Sequence, residues 1–299
     1  MAARPNGKDV LCYAGEHAVT ADHMQRFRQL VWEMGEGHRR DGLPWRYLDD
    51  PYQVYVSEAM LQQTQVSRVL KHWPRFLAAF PTVDALASAS VSDVLEEWQG
   101  LGYNRRALAL KRAADECSAA YAGRMPETYE ELLALPGIGP ATAAGIMAFA
   151  YQKPGVYIET NVRSVFIHHF FPDSEKVTDS QLRPLVECAC DIEHPREWYY
   201  ALLDYGAALK AQGINPNRRS TSYTRQGGFE GSHRQKRSFV LQQVLAQPGI
   251  GFEALLRAIN EFERKAGRDN LLECELQDLV EELVREGFFE RDGDGFVSR

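Results

Sequence analysis

Two glycines between two prolines, in the run Leu135-Pro-Gly-Ile-Gly-Pro140, constrain the fold more than any other feature of this chain. Helical spacing of apolar residues precedes the run from Tyr129 and resumes after it from Thr142, so the run predicts a tight turn between two helices. Gly137 and Gly139 permit backbone torsions and close approaches that residues with a Cβ resist. The second helix would direct free backbone N–H groups outward, and such groups suit a phosphate oxygen. A plain helix–helix turn is the alternative interpretation.

Helical spacing continues through most of the chain. Thr20 is a predicted helix cap, and the apolar period after it runs to about Gly35. Further helices are predicted at about 52–60, 66–79, 84–88, 92–98, 104–122, 160–170, 179–192, 195–210, 235–246, 252–263 and 274–286. Strand-like alternation is scarce before residue 285, and Asp292-Gly293 is typical of a β-hairpin turn. The pattern predicts an all-α class, with three helices and a hairpin at the end that resemble a winged helix.

Composition excludes several classes of protein. Hydrophobic residues make up 44% and charged residues 25% of the 299 positions, as in an ordinary globular protein. No apolar run approaches the roughly 20 residues of a membrane helix, so we expect no membrane partner. Residues 1–19 carry no signal or transit pattern, so we expect a short loose tail and a cytoplasmic location, associated with the nucleoid in a prokaryote. The five cysteines form no CxxC pair, so neither a disulfide framework nor a metal site is expected.

Charge is distributed unevenly along the chain. The net charge of −7 by itself disfavours a nucleic-acid partner. A basic segment at 210–237 nevertheless holds a single carboxylate, Glu230, against Arg218, Arg219, Arg225, Arg234 and Lys236 among its cations. This segment predicts contacts with phosphate. A disordered, solvated linker is the alternative interpretation.

Motifs upstream of the glycine turn resemble those of one family, nearly letter for letter and in the same order. They are Trp45-Arg46, Asp50-Pro-Tyr52, Val56-Ser-Glu-Ala-Met-Leu-Gln-Gln-Thr-Gln-Val66, Phe80-Pro-Thr82 and Gly100-Leu-Gly-Tyr103. With Leu135-Pro-Gly-Ile-Gly-Pro-Ala-Thr-Ala-Ala-Gly145 they resemble the MutY-type adenine branch of the helix-hairpin-helix DNA glycosylases, over about residues 22–210. The resemblance implies two helical subdomains with a cleft between them, and action on double-stranded DNA that contains a mismatched or damaged base.

The resemblance implies roles for three residues of these motifs. Glu58 matches the acid that protonates a purine at N7 so that the base can leave. Gln63 and Tyr103 match positions that enter the duplex where the target nucleotide is turned out. Without the motif, Glu58 is a solvated helix residue and Tyr103 is a core residue in the alternative interpretations.

A second carboxylate follows the glycine turn. The family carries Asp-Gly-Asn-Val where this chain has Glu159-Thr-Asn-Val162, so Glu159 is expected to stabilise the sugar cation. Its extra methylene shifts the carboxylate oxygens by about an ångström, which can cost about a hundredfold in rate. Asn161 matches a residue that helps to hold this carboxylate. The alternative is that Glu159 only caps the next helix.

Other positions are assigned by the same resemblance. Endonuclease III-type relatives carry a lysine nucleophile where this chain has Ala141, so we expect a monofunctional enzyme. The expected residues of the base pocket are Trp45, Arg46, Leu61 and Ala141. The expected DNA contacts are Gln63, Tyr103, Gly137, Gly139, Thr142, Asn161, Arg218 and Arg219.

Two departures from the family concern the end of the chain. The family spaces four cysteines over about 20 residues after the helical region, whereas this chain has none between Cys190 and Cys274, so no iron–sulfur cluster is expected. The domain that inspects 8-oxoguanine is not recognisable. In its place is a compact segment whose third helix is acidic and unlike a helix that reads a DNA groove, which favours a packing or partner role.

These inferences predict a tail at 1–19, a glycosylase domain at 20–211, a basic linker at 212–233 and a winged-helix-like domain at 234–299. We expect a monomer without metal or cofactor. The leading hypothesis is hydrolysis of the N-glycosidic bond of adenine mispaired with guanine or 8-oxoguanine. One alternative is removal of mismatched thymine or uracil, or of an alkylated base. The other is a damage-binding protein that kept the scaffold and lost turnover.

Overall fold

Helices joined by short turns make up most of the protein. The computed structural model describes residues 10–14 and 17–298. The helices are α1 (Ala21–Gly37), α2 (Pro51–Leu61), α3 (Val66–Ala79), α4 (Val83–Ser88), α5 (Val91–Trp98), α6 (Arg105–Ala120), α7 (Tyr129–Ala134), α8 (Pro140–Phe149), α9 (Thr160–Phe170), α10 (Asp179–Ala189), α11 (Pro195–Ala211), α12 (His233–Ala246), α13 (Phe252–Lys265) and α14 (Glu273–Glu286). The strands are β1 (Val10–Ala14), β2 (His17–Thr20), β3 (Ile250–Gly251), β4 (Glu290–Asp292) and β5 (Gly295–Val297). The predicted all-α class is confirmed, and no described helix is long and apolar enough to cross a membrane.

Local sequence explains where these helices begin. The side chain of Thr20 accepts a hydrogen bond from the backbone N–H of His23 at 3.3 Å and so caps α1, as predicted. Met24, Phe27 and Val31 then recur at helical spacing and are buried. Prolines stand at the first positions of α8 and α11, where a missing N–H leaves no helical bond unmade.

The N-terminal region corrects one expectation. β1 and β2 pair in antiparallel orientation, so the prediction of a loose tail at 1–19 is wrong for residues 10–14 and 17–19. Val19 and Cys12 are buried, and β1 packs against α10, which gives these short strands a hydrophobic support. The rest of the predicted tail lies outside the described residues.

Two compact units divide the chain. The first holds the described chain up to Ala59 together with Met125–Thr224. In it α11 packs against both α1 and α9. Gly35 of α1 lies directly against Ala201, and Gly206 of α11 lies against the backbone of Asn161, so neither glycine has room for a Cβ.

The second unit holds Met60–Arg124 together with the described chain from Arg225. In its first segment α4 packs on α6, and Trp98 and Phe76 are fully buried with their rings in edge contact. Its second segment runs α12, β3, α13, α14, β4 and β5, and the strands form one antiparallel sheet in the order β3-β5-β4. Three helices with this small sheet match the predicted winged-helix pattern.

The acidic face of α14 has a packing role within this unit. Glu286 accepts hydrogen bonds from Arg105 of α6 at 2.6 Å and from Arg237 of α12 at 2.7 Å. Glu282 pairs with Arg237 at 2.7 Å. The acidity that argued against a groove-reading helix therefore serves to join α14 to two basic helices.

Candidate active site

Glu58 lies near the end of α2, on a helix whose other residues are mostly buried. Its side chain is half-buried and faces Gly145 of α8. A Cβ added at Gly145 would lie 2.6 Å from Oε2 of Glu58, which is closer than side-chain carbons approach. Gly145 therefore provides the space that the Glu58 carboxyl occupies.

Tyr157 holds the carboxyl from another side. Its hydroxyl donates a hydrogen bond to Oε2 of Glu58 at 3.1 Å. The backbone N–H of Tyr157 in turn donates to the hydroxyl of Tyr199 at 3.2 Å, and that hydroxyl donates to the carbonyl of Gly155. The ring of Tyr157 makes edge contacts with Phe149 and Tyr199, at centroid distances of 5.2 and 5.3 Å. The result is a rigid aromatic wall beside Glu58.

This environment changes the acidity of Glu58. Burial raises the pKa of Glu58 to about 8, an effect that the hydrogen bond from Tyr157 reduces and the nearby charge of Glu159 increases. Burial is also the main reason that the pKa of Tyr157 lies well above its ordinary value, so its hydroxyl stays a donor. Glu58 therefore carries a proton at neutral pH and can act as a general acid.

Glu159 is the N-cap of α9, so the capping interpretation is correct as a description of its contacts. Its Oε1 accepts hydrogen bonds from the backbone N–H groups of Asn161 at 2.6 Å and Val162 at 3.1 Å. Burial raises the pKa of Glu159, and these two bonds act to lower it. Its charge is felt at both Glu58 and Tyr157. A capping role and a catalytic role are thus compatible here.

Two of the predicted pocket residues contact Tyr200, whose ring stacks on Phe149 of the aromatic wall. Trp45 and Arg46 are buried in a short 3₁₀ turn, Pro44–Tyr47. The Arg46 guanidinium donates to Asp204 at 2.7 Å and lies over the ring of Tyr200, 4.7 Å from its centroid. The Tyr200 hydroxyl donates to the carbonyl of Trp45 at 3.3 Å. Arg46 is therefore engaged in a buried ion pair.

The glycine turn between α7 and α8 has the predicted form. Gly137 has a φ of +75°, a left-handed conformation that favours glycine. Gly139 is the N-cap of α8, and no atom of the described residues beyond its chain neighbours lies within 4 Å of the place where its Cβ would be, so this part of the structure leaves the helix end open. Ala141 is half-buried in the first turn of α8, and Thr142 is buried beside it. Leu61, the fourth predicted pocket residue, is half-buried at the end of α2.

Gln63 and Tyr103, both predicted to enter the duplex, lie in loops of the second unit. Gln63 is exposed and Tyr103 is half-buried. Their φ angles are +54° and +50°, which residues with a Cβ seldom adopt. Backbone strain of this kind is often concentrated at functional positions.

The basic segment separates into residues with different roles. Arg219 donates to the carbonyls of Phe171 and Pro172, the latter at 2.7 Å, and so caps the end of α9. A short parallel bridge joins Val177 to Ser220. Arg218, next to Arg219, is exposed. The start of the linker is therefore folded, and Arg218 is better placed than Arg219 to meet a phosphate.

The segment after α11 does not fit an iron–sulfur cluster. Such a cluster is held by cysteine thiolates, and this segment contains no cysteine. Residues 216–219 instead form a 3₁₀ turn, which is fixed by Arg219. In the described chain all five cysteines are free thiols, and no cluster of metal-binding side chains occurs.

Sequence reasoning missed the residues that support the site. Gly145 stands inside the motif that identified the glycine turn, but its role depends on the approach of α2. Tyr157 precedes Glu159 by two positions in a segment outside the helices, and in an extended chain side chains at that spacing point to the same side. That spacing was a usable signal. No comparable signal marked Tyr200.

Known proteins share both sequence and fold with this chain. Residues 56–188 match the family described as HhH-GPD superfamily base excision DNA repair protein. The adenine DNA glycosylase of Mycobacterium tuberculosis is 32% identical over 94% of this chain and 98% of its own length. The human adenine DNA glycosylase is 33% identical over 61% of this chain and 36% of its own length. The adenine DNA glycosylase of Buchnera aphidicola from Baizongia pistaciae is 33% identical over 61% of this chain, which spans about half, 52%, of that relative.

Solved structures support the fold. A thermostable thymine-DNA glycosylase superposes with a TM-score of 0.56 at 23% identity, over 67% of this chain and 96% of that one. An endonuclease III in a non-covalent DNA complex gives a TM-score of 0.52 at 17% identity, over 60% and 84% of the two chains. Because the M. tuberculosis relative aligns over 94% of this chain, most of the C-terminal segment is shared with a named adenine DNA glycosylase.

Proposed function

This chain belongs to the HhH-GPD superfamily of base excision DNA repair proteins, and from that premise we propose that it is a monofunctional DNA glycosylase that removes adenine from double-stranded DNA. The adenine is the one mispaired with guanine or 8-oxoguanine. The observation that carries the proposal is the Glu58 carboxyl, which accepts a hydrogen bond from Tyr157 and lies close enough to Glu159 for that charge to raise its pKa.

Glu58 and Glu159 have different roles in the proposed reaction. Burial raises the pKa of Glu159, but two backbone N–H bonds and the helix dipole at the start of α9 act in the other direction and favour its ionised form. Burial and the charge of Glu159 raise the pKa of Glu58 to about 8 in spite of the hydrogen bond from Tyr157, and this favours its protonated form. A pair of carboxyls, one that protonates the leaving group and one that stabilises the sugar cation, is typical of glycosidic-bond chemistry.

The proposed hydrolysis uses only water and the two carboxyls. Glu58 gives its proton to N7 of the extruded adenine while the C1′–N9 bond breaks, and the bond electrons leave with the base. Glu159 stabilises the sugar cation that remains. Water adds its oxygen to C1′, and its spare proton returns to the Glu58 carboxylate. The products are free adenine and an abasic site.

Two further properties belong to the proposal. With Ala141 in place of a lysine nucleophile, the enzyme has no amine there to form a Schiff base, so the abasic strand stays intact. Arg218 contacts a DNA phosphate, since it is exposed while Arg219 caps α9. Replacing Arg218 by Ala should make the negative slope of log affinity against log salt concentration less steep by about 0.9. An unchanged slope would exclude this contact.

A product assay tests the function. Single-turnover reactions on duplexes with adenine opposite 8-oxoguanine, adenine opposite guanine, and guanine opposite thymine are treated with alkali to reveal abasic sites. We expect strand breaks at adenine after alkali and none before it. Breaks only in the guanine:thymine duplex would favour the pyrimidine alternative. Binding without any base release would favour a damage-binding protein.

Glu159 variants test the second carboxylate. Glu159→Gln keeps the size and removes the charge, so the single-turnover rate should fall by about 10² to 10³. Glu159→Asp restores the family's residue and should keep activity at the wild-type level or above it. If Glu159→Gln left the rate unchanged, Glu159 would be a helix cap only.

A further inference from the structure

Two loops of the second unit share an unusual backbone feature. Gln63 follows α2 and Tyr103 precedes α6, and both have left-handed φ angles of +54° and +50°. Ala122 and Gln152 also have positive φ in the described chain, so the torsion alone does not set the two loops apart. What distinguishes Gln63 and Tyr103 is that one arginine side chain bonds to both of their loops.

That arginine is Arg106, on the first turn of α6. Its Nη1 donates to the carbonyls of Met60 at 2.9 Å and Gln62 at 2.6 Å. Its Nη2 donates to the Thr64 hydroxyl and to the carbonyl of Gly102, both at 3.0 Å. The guanidinium also lies over the Tyr103 ring, 5.4 Å from its centroid. Arg106 thus joins the backbone before Gln63 and the Thr64 side chain after it to the residue before Tyr103.

A second arginine reaches Tyr103 from the C-terminal segment. Arg234, in the first turn of α12, donates from Nη1 to the Tyr103 hydroxyl at 3.2 Å. Its Nη2 donates to the carbonyl of Gly227 at 2.9 Å, within the linker that precedes α12. Tyr103 is therefore fixed at its ring by Arg106 and at its hydroxyl by Arg234.

We propose that Arg106 and Arg234 are positioning residues that hold the loops of Gln63 and Tyr103 in the shape required for insertion into a DNA duplex. This inference rests on the proposed function, because it takes Gln63 and Tyr103 to be the inserting residues. It also assigns a part in DNA handling to the segment beyond the linker, through Arg234.

Exposure favours this role over a purely structural one. Gln63 is exposed, so its strained conformation gains no burial of an apolar side chain. Holding the loops before DNA arrives removes part of the ordering cost of insertion from the binding step. A planar guanidinium with several donors is suited to fix many oxygens at once, which an ammonium cannot do.

The first experiment measures base unstacking without hydrolysis. A duplex carries 2′-fluoroadenosine, which resists cleavage, opposite 8-oxoguanine, with fluorescent 2-aminopurine as its neighbour. Arg234→Ala should reduce the fluorescence increase on binding, and the single-turnover rate on cleavable substrate, by about tenfold. Arg106→Lys should lose about a hundredfold in that rate, because one ammonium cannot replace the fork.

A charge-matched control separates positioning from phosphate attraction. Arg257 of α13 is exposed in the same unit, and its ion pair is with Glu253 of its own helix at 3.6 Å. Arg257→Ala should leave the fluorescence change intact. Affinity for undamaged duplex should fall to a similar small extent in Arg257→Ala and Arg234→Ala. Thermal unfolding of each variant identifies loss of fold.

A double-variant cycle tests the link to Tyr103 directly. Tyr103→Phe removes the hydroxyl that accepts from Arg234, so combining it with Arg234→Ala should add less than about twofold to the larger single effect. Independent, multiplying effects would overturn the inference, as would an Arg234→Ala protein that unstacks the base like the wild type. The proposed function fails in a different way, when the wild type unstacks 2-aminopurine yet releases no adenine from cleavable DNA.

Discussion

Glu58 in the first unit and Glu286 in the second are the same residue type, each half-buried and near the end of a helix, yet their acidities move in opposite directions. Burial raises the pKa of Glu58 to about 8, with a tyrosine hydroxyl and a second carboxylate as neighbours. Burial acts in the same sense on Glu286, but hydrogen bonds from Arg105 and Arg237 bring its pKa down to about 2. The presence of arginine therefore decides whether a shielded glutamate is an acid or a structural anion.

The two shifts have opposite consequences for stability. Between about pH 4.5 and 8 the folded protein keeps a proton on Glu58 that the unfolded chain releases, so this group lowers stability as pH rises. Between about pH 4.5 and 2, Glu286 binds a proton in the unfolded chain but not in the folded protein, so stability falls as the pH drops. At neutral pH the environment of Glu58 therefore lowers the stability of the fold, whereas the environment of Glu286 raises it.

The largest expected effect comes from removing the acid. Glu58→Gln keeps the shape and cannot release a proton, so the single-turnover rate should fall by about 10³ or more. The same change removes the unfavourable ionisation, so stability near pH 8 should rise by on the order of 1 to 3 kcal/mol, with no gain below pH 4.5. Urea unfolding at the two pH values measures this. A variant less stable than the wild type at pH 8 would contradict the raised pKa.

The space beside Glu58 provides the next test. Gly145→Ala places a methyl group where Oε2 of Glu58 lies, so the carboxyl must move. A displacement of about an ångström should lower the rate by about a hundredfold. Gly37→Ala, at the end of α1, is the matched control and should retain full activity, because no described residue beyond its chain neighbours lies within 4 Å of the added Cβ. Equal rates for the two variants would mean that the carboxyl has other room.

Tyr157 tunes the acid and should give a smaller effect. Its hydrogen bond lowers the pKa of Glu58, so Tyr157→Phe should move the alkaline limb of the pH–rate profile upward and cost about tenfold in rate. Tyr205→Phe removes another shielded hydroxyl, bonded to Nε2 of His169 at 2.7 Å, and should leave the limb in place. A downward shift in Tyr157→Phe would reverse the assigned direction.

The sequence predicted the limits of helices better than it predicted structure that depends on contacts with distant segments. Helical spacing predicted the helix limits because each buried face repeats along one segment, as in α1 and α3. The hairpin β1-β2 was missed because its short strands take their support from α10, far along the chain. The local sequence pattern therefore predicted secondary structure correctly wherever that structure did not depend on a packing partner elsewhere in the chain.

The same division holds at the site. The motif placed Glu58 and Glu159, which the structure puts close enough for the charge of one to affect the other. It did not predict that Gly145 makes room for Glu58, or that Arg106 joins two loops, since both depend on segments meeting in space. The acidity of α14 was visible, but its arginine partners on α6 and α12 were not.

The smallest expected effect tests the structural half of the comparison. Glu286→Gln leaves Arg105 and Arg237 facing an uncharged amide, and solvent screening limits the loss of stability at neutral pH to about 1 kcal/mol. Because the wild-type carboxylate is lost as pH falls through about 2, the difference between variant and wild type should shrink below pH 4.5 and vanish near pH 2. Glu58→Gln should show the reverse order, with its difference growing above pH 4.5. Unfolding free energies across this range measure both, and parallel curves for the two variants would mean that arginine contact does not separate the two glutamates.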